Sequence, residues 1–146
     1  MRIAVGSDHA GFELKTRVIE WLSAHGFDAC DQGPDSPESV DYPDFARAVC
    51  ELVTGGVAEL GVLVCKTGIG MCIAANKLRG IRAAHPANTE EAFLSRSHND
   101  ANVLCLGGGT TPPDAALELL EVFVRTPFSG EDRHRRRLVK IQTLEQ

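Results

Sequence analysis

Short apolar runs alternate with amphipathic stretches along the whole chain. Residues 2–6 predict a first strand. Residues 12–25 predict a helix with Leu14, Val18, Trp21 and Leu22 on one face and Gly26 as its stop. A second strand over 27–30 leads into a loop over 31–42 that is rich in Asp, Ser and Pro. Pro43 opens a helix over 43–53, which Gly55 and Gly56 end. Residues 60–65, Leu-Gly-Val-Leu-Val-Cys, are apolar on both faces, the pattern of a buried parallel strand. A short helix over 69–78 and a strand over 81–84 follow. Asn88 starts the next helix, with Glu91 in capping-box spacing. A fifth strand covers 102–106, and Thr111-Pro112 opens a helix through Val124. A last helix runs over 131–144, with Leu138, Ile141 and Leu144 on one side.

Strands alternating with helices predict an α/β fold, a five-stranded parallel sheet between two layers of helices, closed by a C-terminal helix. The 146 residues are the size of one domain, so 1–146 is read as a single domain. Ligands of such folds bind beyond the carboxyl ends of the strands, which is where chemistry is sought below.

Composition narrows the function classes. No stretch approaches the ~20 apolar residues of a membrane span, and the N-terminus lacks the apolar region of a signal peptide. Five cysteines at irregular spacing, without a CxxC, fit a reducing cytoplasm better than a disulfide framework. No compact Cys/His cluster reads as a zinc site. The net charge of −5 hides a split: residues 1–132 carry −9 and residues 133–146 carry +4. An acidic body argues against nucleic-acid binding. The basic segment, Arg133-His134-Arg135-Arg136-Arg137, places Arg133 and Arg137 on one helical face, where two guanidinium groups suit a phosphate. Arg135 and Arg136 read as solvated charges.

The ends of the strands carry the remaining candidates. Gly6-Ser-Asp8-His9-Ala-Gly11 follows the first strand and suits a polar ligand, although Asp and Gly also serve as plain cap and turn residues there. Cys65-Lys66-Thr67-Gly68-Ile69-Gly70 follows the third. Its glycines let backbone N–H groups approach an anion at a helix start, and a thiol beside them suits a base or a nucleophile. The other four cysteines read as small buried hydrophobes, and His25 and His85 as surface or loop residues. Ser97-His98-Asn99-Asp100 precedes the fifth strand and Gly107-Gly108-Gly109-Thr110 follows it. Each admits a ligand or a bland reading as cap or loop.

Taken together, these motifs resemble the ribose-5-phosphate isomerase B family, which includes galactose-6-phosphate and allose-6-phosphate isomerases. The stretches that carry the resemblance include Gly6 to Phe12, Asp41-Tyr42-Pro43, Cys65 to Gly70, Ile73 to Lys77, Gly80 to Arg82, Ser95 to Asp100, Asn102 to Leu104 and Arg133 to Arg137, in family order across nearly the whole chain. The resemblance implies a Rossmann-like fold and an aldose–ketose isomerase working through a cis-enediolate. It implies no cofactor and no metal, and a homodimer or dimer of dimers with active sites shared between subunits. Cys65 matches the base that moves a proton between C1 and C2. His98 matches the group that opens the sugar ring, with Thr67 assisting near the ring oxygen. The N–H groups of residues 66–70 match an anion hole for the enediolate. Asp8, His9 and Asn99 match sugar-binding positions, Tyr42 lines the site, and Arg133 and Arg137 bind phosphate. Members without the cysteine use a Glu where this chain has Met71.

Two positions depart from the family pattern. Lys66 stands where a glycine is usual inside the anion hole, so its side chain must turn away or bring positive charge to the oxyanion. Gly109 stands where a phosphate-binding arginine is usual, and Lys66 is the candidate to compensate. The alternatives are an isomerase of a four- or six-carbon aldose phosphate and a non-catalytic phosphosugar-binding protein. A thiol redox protein built on Cys65 lacks a CxxC partner.

Overall fold

The structure is a computed structural model that describes residues 1–145. Its elements run β1 (Arg2–Ser7), α1 (Phe12–Ala24), β2 (Asp28–Asp31), α2 (Tyr42–Thr54), β3 (Leu60–Cys65), α3 (Ile69–Ala75), β4 (Ala83–Ala84), α4 (Thr89–Ser97), β5 (Val103–Gly107), α5 (Pro113–Arg125) and α6 (Asp132–Gln142). The strands form one all-parallel sheet in the order β2-β1-β3-β5-β4. This is the α/β sandwich the pattern predicts and the Rossmann-like fold the resemblance implies.

The two-residue period of a strand sorts its side chains between two cores. Ile3, Val5, Val62, Val64, Leu104 and Leu106 pack on one face against Leu14, Val18, Ala116, Leu120 and Phe123 of α1 and α5. Ala4, Leu63, Cys65, Val103 and Cys105 pack on the other against Val49, Met71 and Ala75 of α2 and α3. Leu63 and Phe123 are fully buried. Truncating either to alanine should cost about 2–5 kcal/mol.

Two boundaries differ for physical reasons, and one expected core face is exposed. The helix expected over 69–78 stops at Ala75, because Asn76 turns to the neighbouring strand: its Nδ2 donates to Ala83 O at 3.0 Å and its Oδ1 accepts from Ala83 N at 2.9 Å. The strand expected over 81–84 shrinks to Ala83–Ala84, since Ile81 N–H donates back to Leu78 O and Arg82 N–H to Asn102 Oδ1. The side of the last helix expected to be apolar is not a core face: Leu138 is half-buried, Ile141 is 42% exposed, and Leu144, past the end of α6, is 76% exposed. As expected, Asn88 caps α4, accepting from Glu91 N at 2.9 Å.

The topology brings four loops to one edge of the sheet. They follow β1, β2, β3 and β5, around the point where the order reverses at β1 and β3.

Candidate active site

Cys65 is the last residue of β3, and 4% of it is exposed. Its Sγ accepts the Gly68 N–H at 3.1 Å, which aims the sulfur into the turn that follows. Gly68 holds φ +80°, a conformation that only glycine adopts without strain. Thr67 Oγ1 accepts the Ile69 N–H at 3.2 Å. Two of the N–H groups expected to face an anion are therefore engaged inside the loop in the free chain. Met71 is fully buried, so the position of the alternative carboxylate base faces the core here.

The β1 loop lies against this turn. Asp8 N–H donates to Val64 O at 3.1 Å, and a Cβ on Gly11 would collide with the same carbonyl. Asp8 is buried and its Oδ1 accepts the Gly11 N–H at 2.9 Å, so this carboxylate is held as a turn clamp beside the site. His9 is exposed, and its Nδ1 accepts the Val40 N–H at 3.2 Å. Tyr42 closes the other side. A Cβ on Gly70 would stand 2.8 Å from Tyr42 Cζ, so the ring rests directly on this glycine.

Lys66 and Gly109, the two departures from the family pattern, touch each other. Gly109 N–H donates to Lys66 O at 2.8 Å, and a Cβ on Gly109 would stand 3.0 Å from Lys66 Cγ. The lysine stem lies over the glycine and fills the space that a side chain at 109 would need. Of the two placements open to it, its stem takes the one toward the β5 loop.

A second group forms where α4 meets α6. His98 caps the C-terminal end of α4, and its ring stacks on His134 with centroids 4.1 Å apart and planes at 20°. His134 is 3% exposed and its Nε2 has no partner. Burial, then the nearby His98 and Arg133, lowers its pKa. Asp100 takes φ +44° and ties the turn down, accepting from Arg96 at 3.0 Å and from Arg82 at 3.2 Å. That turn presents Asn99 to solvent. Arg133 and Arg137 lie on α6, and Arg133 pairs with Glu131 at 2.9 Å. No hydrogen bond, ion pair or ring contact among the described residues joins Cys65, Thr67, Asp8 or His9 to His98, Asn99, Arg133 or Arg137.

Three residues near the site escaped the sequence reading. His85 backs the turn: its Nδ1 donates to Cys105 O at 3.0 Å, and a Cβ on Gly68 would stand 2.6 Å from its Cε1. Cys72 is half-buried, not inert core. Its thiol faces Cys105, and this contact lowers its pKa to about 7, while Cys105 is raised. Lys15 is 2% exposed and paired with Asp31. Its place on the inner face of α1, among Leu14 and Val18, is the one signal that pointed to burial. Among the described residues, no group of three or more His, Cys, Asp or Glu side chains is placed to hold a metal ion. Among the same described residues, no helix is long and apolar enough to cross a membrane.

A family model described as Ribose/Galactose Isomerase matches residues 3–141. The ribose-5-phosphate isomerase B of Escherichia coli strain K12 is 39% identical over 145 residues, covering 99% of this chain and 97% of that protein. A solved ribose-5-phosphate isomerase B from Clostridium thermocellum superposes with a TM-score of 0.97 at 43% identity, covering 99% of this chain and 97% of that one. A structure from Mycoplasma genitalium, with ribulose-5-phosphate bound, superposes with a TM-score of 0.93 at 38% identity, covering 99% and 95%. The motifs, the sheet and these relatives agree, and the chain belongs to the ribose/galactose isomerase family.

Proposed function

We propose that this protein interconverts ribose 5-phosphate and ribulose 5-phosphate through a cis-enediolate, with Cys65 as the base. The observation that carries the reading is Cys65 itself: a thiol at the end of the central strand, its sulfur held into a backbone turn by the Gly68 N–H. The hydrogen beside a carbonyl is weakly acidic, so its removal needs a placed base and stabilisation of the charge that develops. Cys65 takes the proton from C2 of the open-chain aldose, and the C–H electron pair forms the C1–C2 double bond. The carbonyl oxygen on C1 becomes the oxyanion, and the N–H groups of residues 66–70 stabilise it. A proton passes from the C2 hydroxyl to the oxygen on C1, and as the C2 carbonyl forms, the double-bond electrons take the proton from Cys65 onto C1, which gives the ketose. A positioned base contributes about 10²–10⁴-fold, and an oxyanion donor about 10²–10³-fold.

His98 opens the sugar ring with Thr67 assisting, and Asp8, His9, Tyr42 and Asn99 hold the sugar. Arg133, Arg137 and Lys66 bind the phosphate, whose remote charge orients the small reacting end. Because one chain holds these residues as two separate groups, we assign the complete site to a homodimer or dimer of dimers. The exposed Val139 and Ile141 of α6, with Leu144 just beyond it, support this, as do two clefts of about 620 and 600 Å³ beside the end of α6, away from Cys65. The single sheet supports one isomerase domain over 1–146, and five free thiols suit the cytoplasm.

The test is a panel of four-, five- and six-carbon aldose phosphates with their unphosphorylated forms. Ribose 5-phosphate should give the highest kcat/KM. A six-carbon or four-carbon phosphate ahead of it would reassign the substrate, and no turnover at all would leave a phosphosugar-binding protein.

A further inference from the structure

The loop from β2 to α2 is tied down at its start. Gln32 N–H donates to Val5 O at 2.7 Å, and Ser7 N–H donates to Gly33 O at 3.1 Å. Gly33 N–H donates to Asp31 Oδ1 at 2.8 Å. Lys15, reaching out of α1, donates to both Asp31 carboxylate oxygens at 2.9 and 3.1 Å and to Pro34 O at 2.6 Å. A buried ammonium is costly unless its donors are used. Here all the acceptors it finds belong to this loop or to its first anchor. The far end of the loop then returns to the candidate site, where the Val40 N–H meets His9 Nδ1 at 3.2 Å.

That last contact fixes chemistry as well as position. An N–H donor fits only an unprotonated ring nitrogen, so Nδ1 is the acceptor and the proton of the neutral ring sits on Nε2. His85 has the opposite arrangement, because its Nδ1 faces the Cys105 carbonyl and must carry the proton. His9 is exposed and follows the buried Asp8. Its free edge is therefore a hydrogen-bond donor.

We propose that the 32–41 loop is a positioning element for His9: the main-chain N–H of Val40 holds the ring in the Nε2–H form, so His9 offers a bound sugar phosphate a donor for an oxygen atom, and Lys15 keeps the loop in register. The inference rests on the reading of His9 as a substrate ligand. The Val40 side chain plays no part in it.

Val40→Pro deletes the N–H, and Val40→Ala keeps it. Nitrogen-15 NMR of labelled histidine, at about pH 8 where imidazoles are neutral, reads the tautomer without any turnover. The wild-type chain and Val40→Ala should show His9 protonated at Nε2 only. Val40→Pro should give a mixture of the two forms, and Lys15→Met should shift in the same direction. In Val40→Pro the KM for ribose 5-phosphate should rise about 3- to 10-fold, the worth of one neutral hydrogen bond. Its kcat should stay within about twofold of wild type, because a ligand that acts in binding alone leaves kcat unchanged. Val40→Ala should match the wild type in both constants. A wild-type His9 protonated at Nδ1, an unshifted tautomer in Val40→Pro, or a Val40→Ala as impaired as Val40→Pro would overturn the proposal. So would a shifted tautomer with unchanged KM. A wild-type chain that turns over no sugar phosphate would instead overturn the isomerase reading and leave the tautomer result standing.

Discussion

Lys66 lies across Gly109, so the two positions act as one substitution in space: the lysine occupies the room that a larger residue at 109 would need. If its ammonium takes a share of the phosphate charge, Lys66→Gly should raise KM for a phosphorylated sugar by about 10- to 100-fold, since a hydrogen bond to a charged group is worth about 1.5–3 kcal/mol. An unchanged KM would remove Lys66 from the site. Gly109→Arg on its own should be poorly accommodated, because the new Cβ stands 3.0 Å from Lys66 Cγ, and adding Lys66→Gly should relieve it. The cysteines differ as sharply. Contact with Cys105 brings Cys72 down to about 7, and burial pushes Cys50 up to about 12. Alkylation of Cys72 by iodoacetamide should therefore rise as pH passes upward through about 7, with Cys50 unlabelled throughout. Peptide mass spectrometry checks this, and equal labelling of the two would contradict it.

At the scale of elements, the pattern made β3 legible because its run is apolar on both faces, and made α4 legible because Asn88 caps it locally. The ends of α3 and β4 were not legible, because Asn76 and Asn102 settle them through contacts with backbone on other segments. The candidate site divides in the same way. Cys65, Thr67 and the glycines announce themselves within six residues of sequence. The roles of Lys15, His85 and His134 exist only through partners from other elements.

The α4–α6 junction gives two predictions. His98→Asn should impair an aldopentose phosphate, which is cyclic, more than an aldotetrose 4-phosphate, whose esterified O4 prevents ring closure; equal losses would give His98 another role. His134 is held below the ordinary histidine value of 6.5 by burial, so below that pH the unfolded chain binds a proton that the folded chain refuses. This loss of stability is absent above 6.5 and grows as pH falls through it. Between about pH 7.5 and 5.5 the melting temperature should fall more in the wild type than in His134→Phe. Parallel falls would contradict the buried neutral ring.

At the scale of the whole molecule, one chain keeps the candidate residues in two separate groups and leaves Ile141 of α6 and Leu144 just beyond it exposed. Leu144→Asp paired with Ile141→Asp should shift the protein to monomer in analytical ultracentrifugation and abolish turnover, while the fold seen by circular dichroism persists. A wild-type monomer active at all dilutions would refute the shared site.

Proton transfer at Cys65 is the central claim, and it is measured most directly by NMR in D₂O with ribose 5-phosphate. The wild-type protein should form ribulose 5-phosphate and carry solvent deuterium into the C1 position. Cys65→Ala should form no ketose and exchange no C2 proton, while still binding the sugar phosphate. Continued exchange or turnover in Cys65→Ala would show that another group is the base.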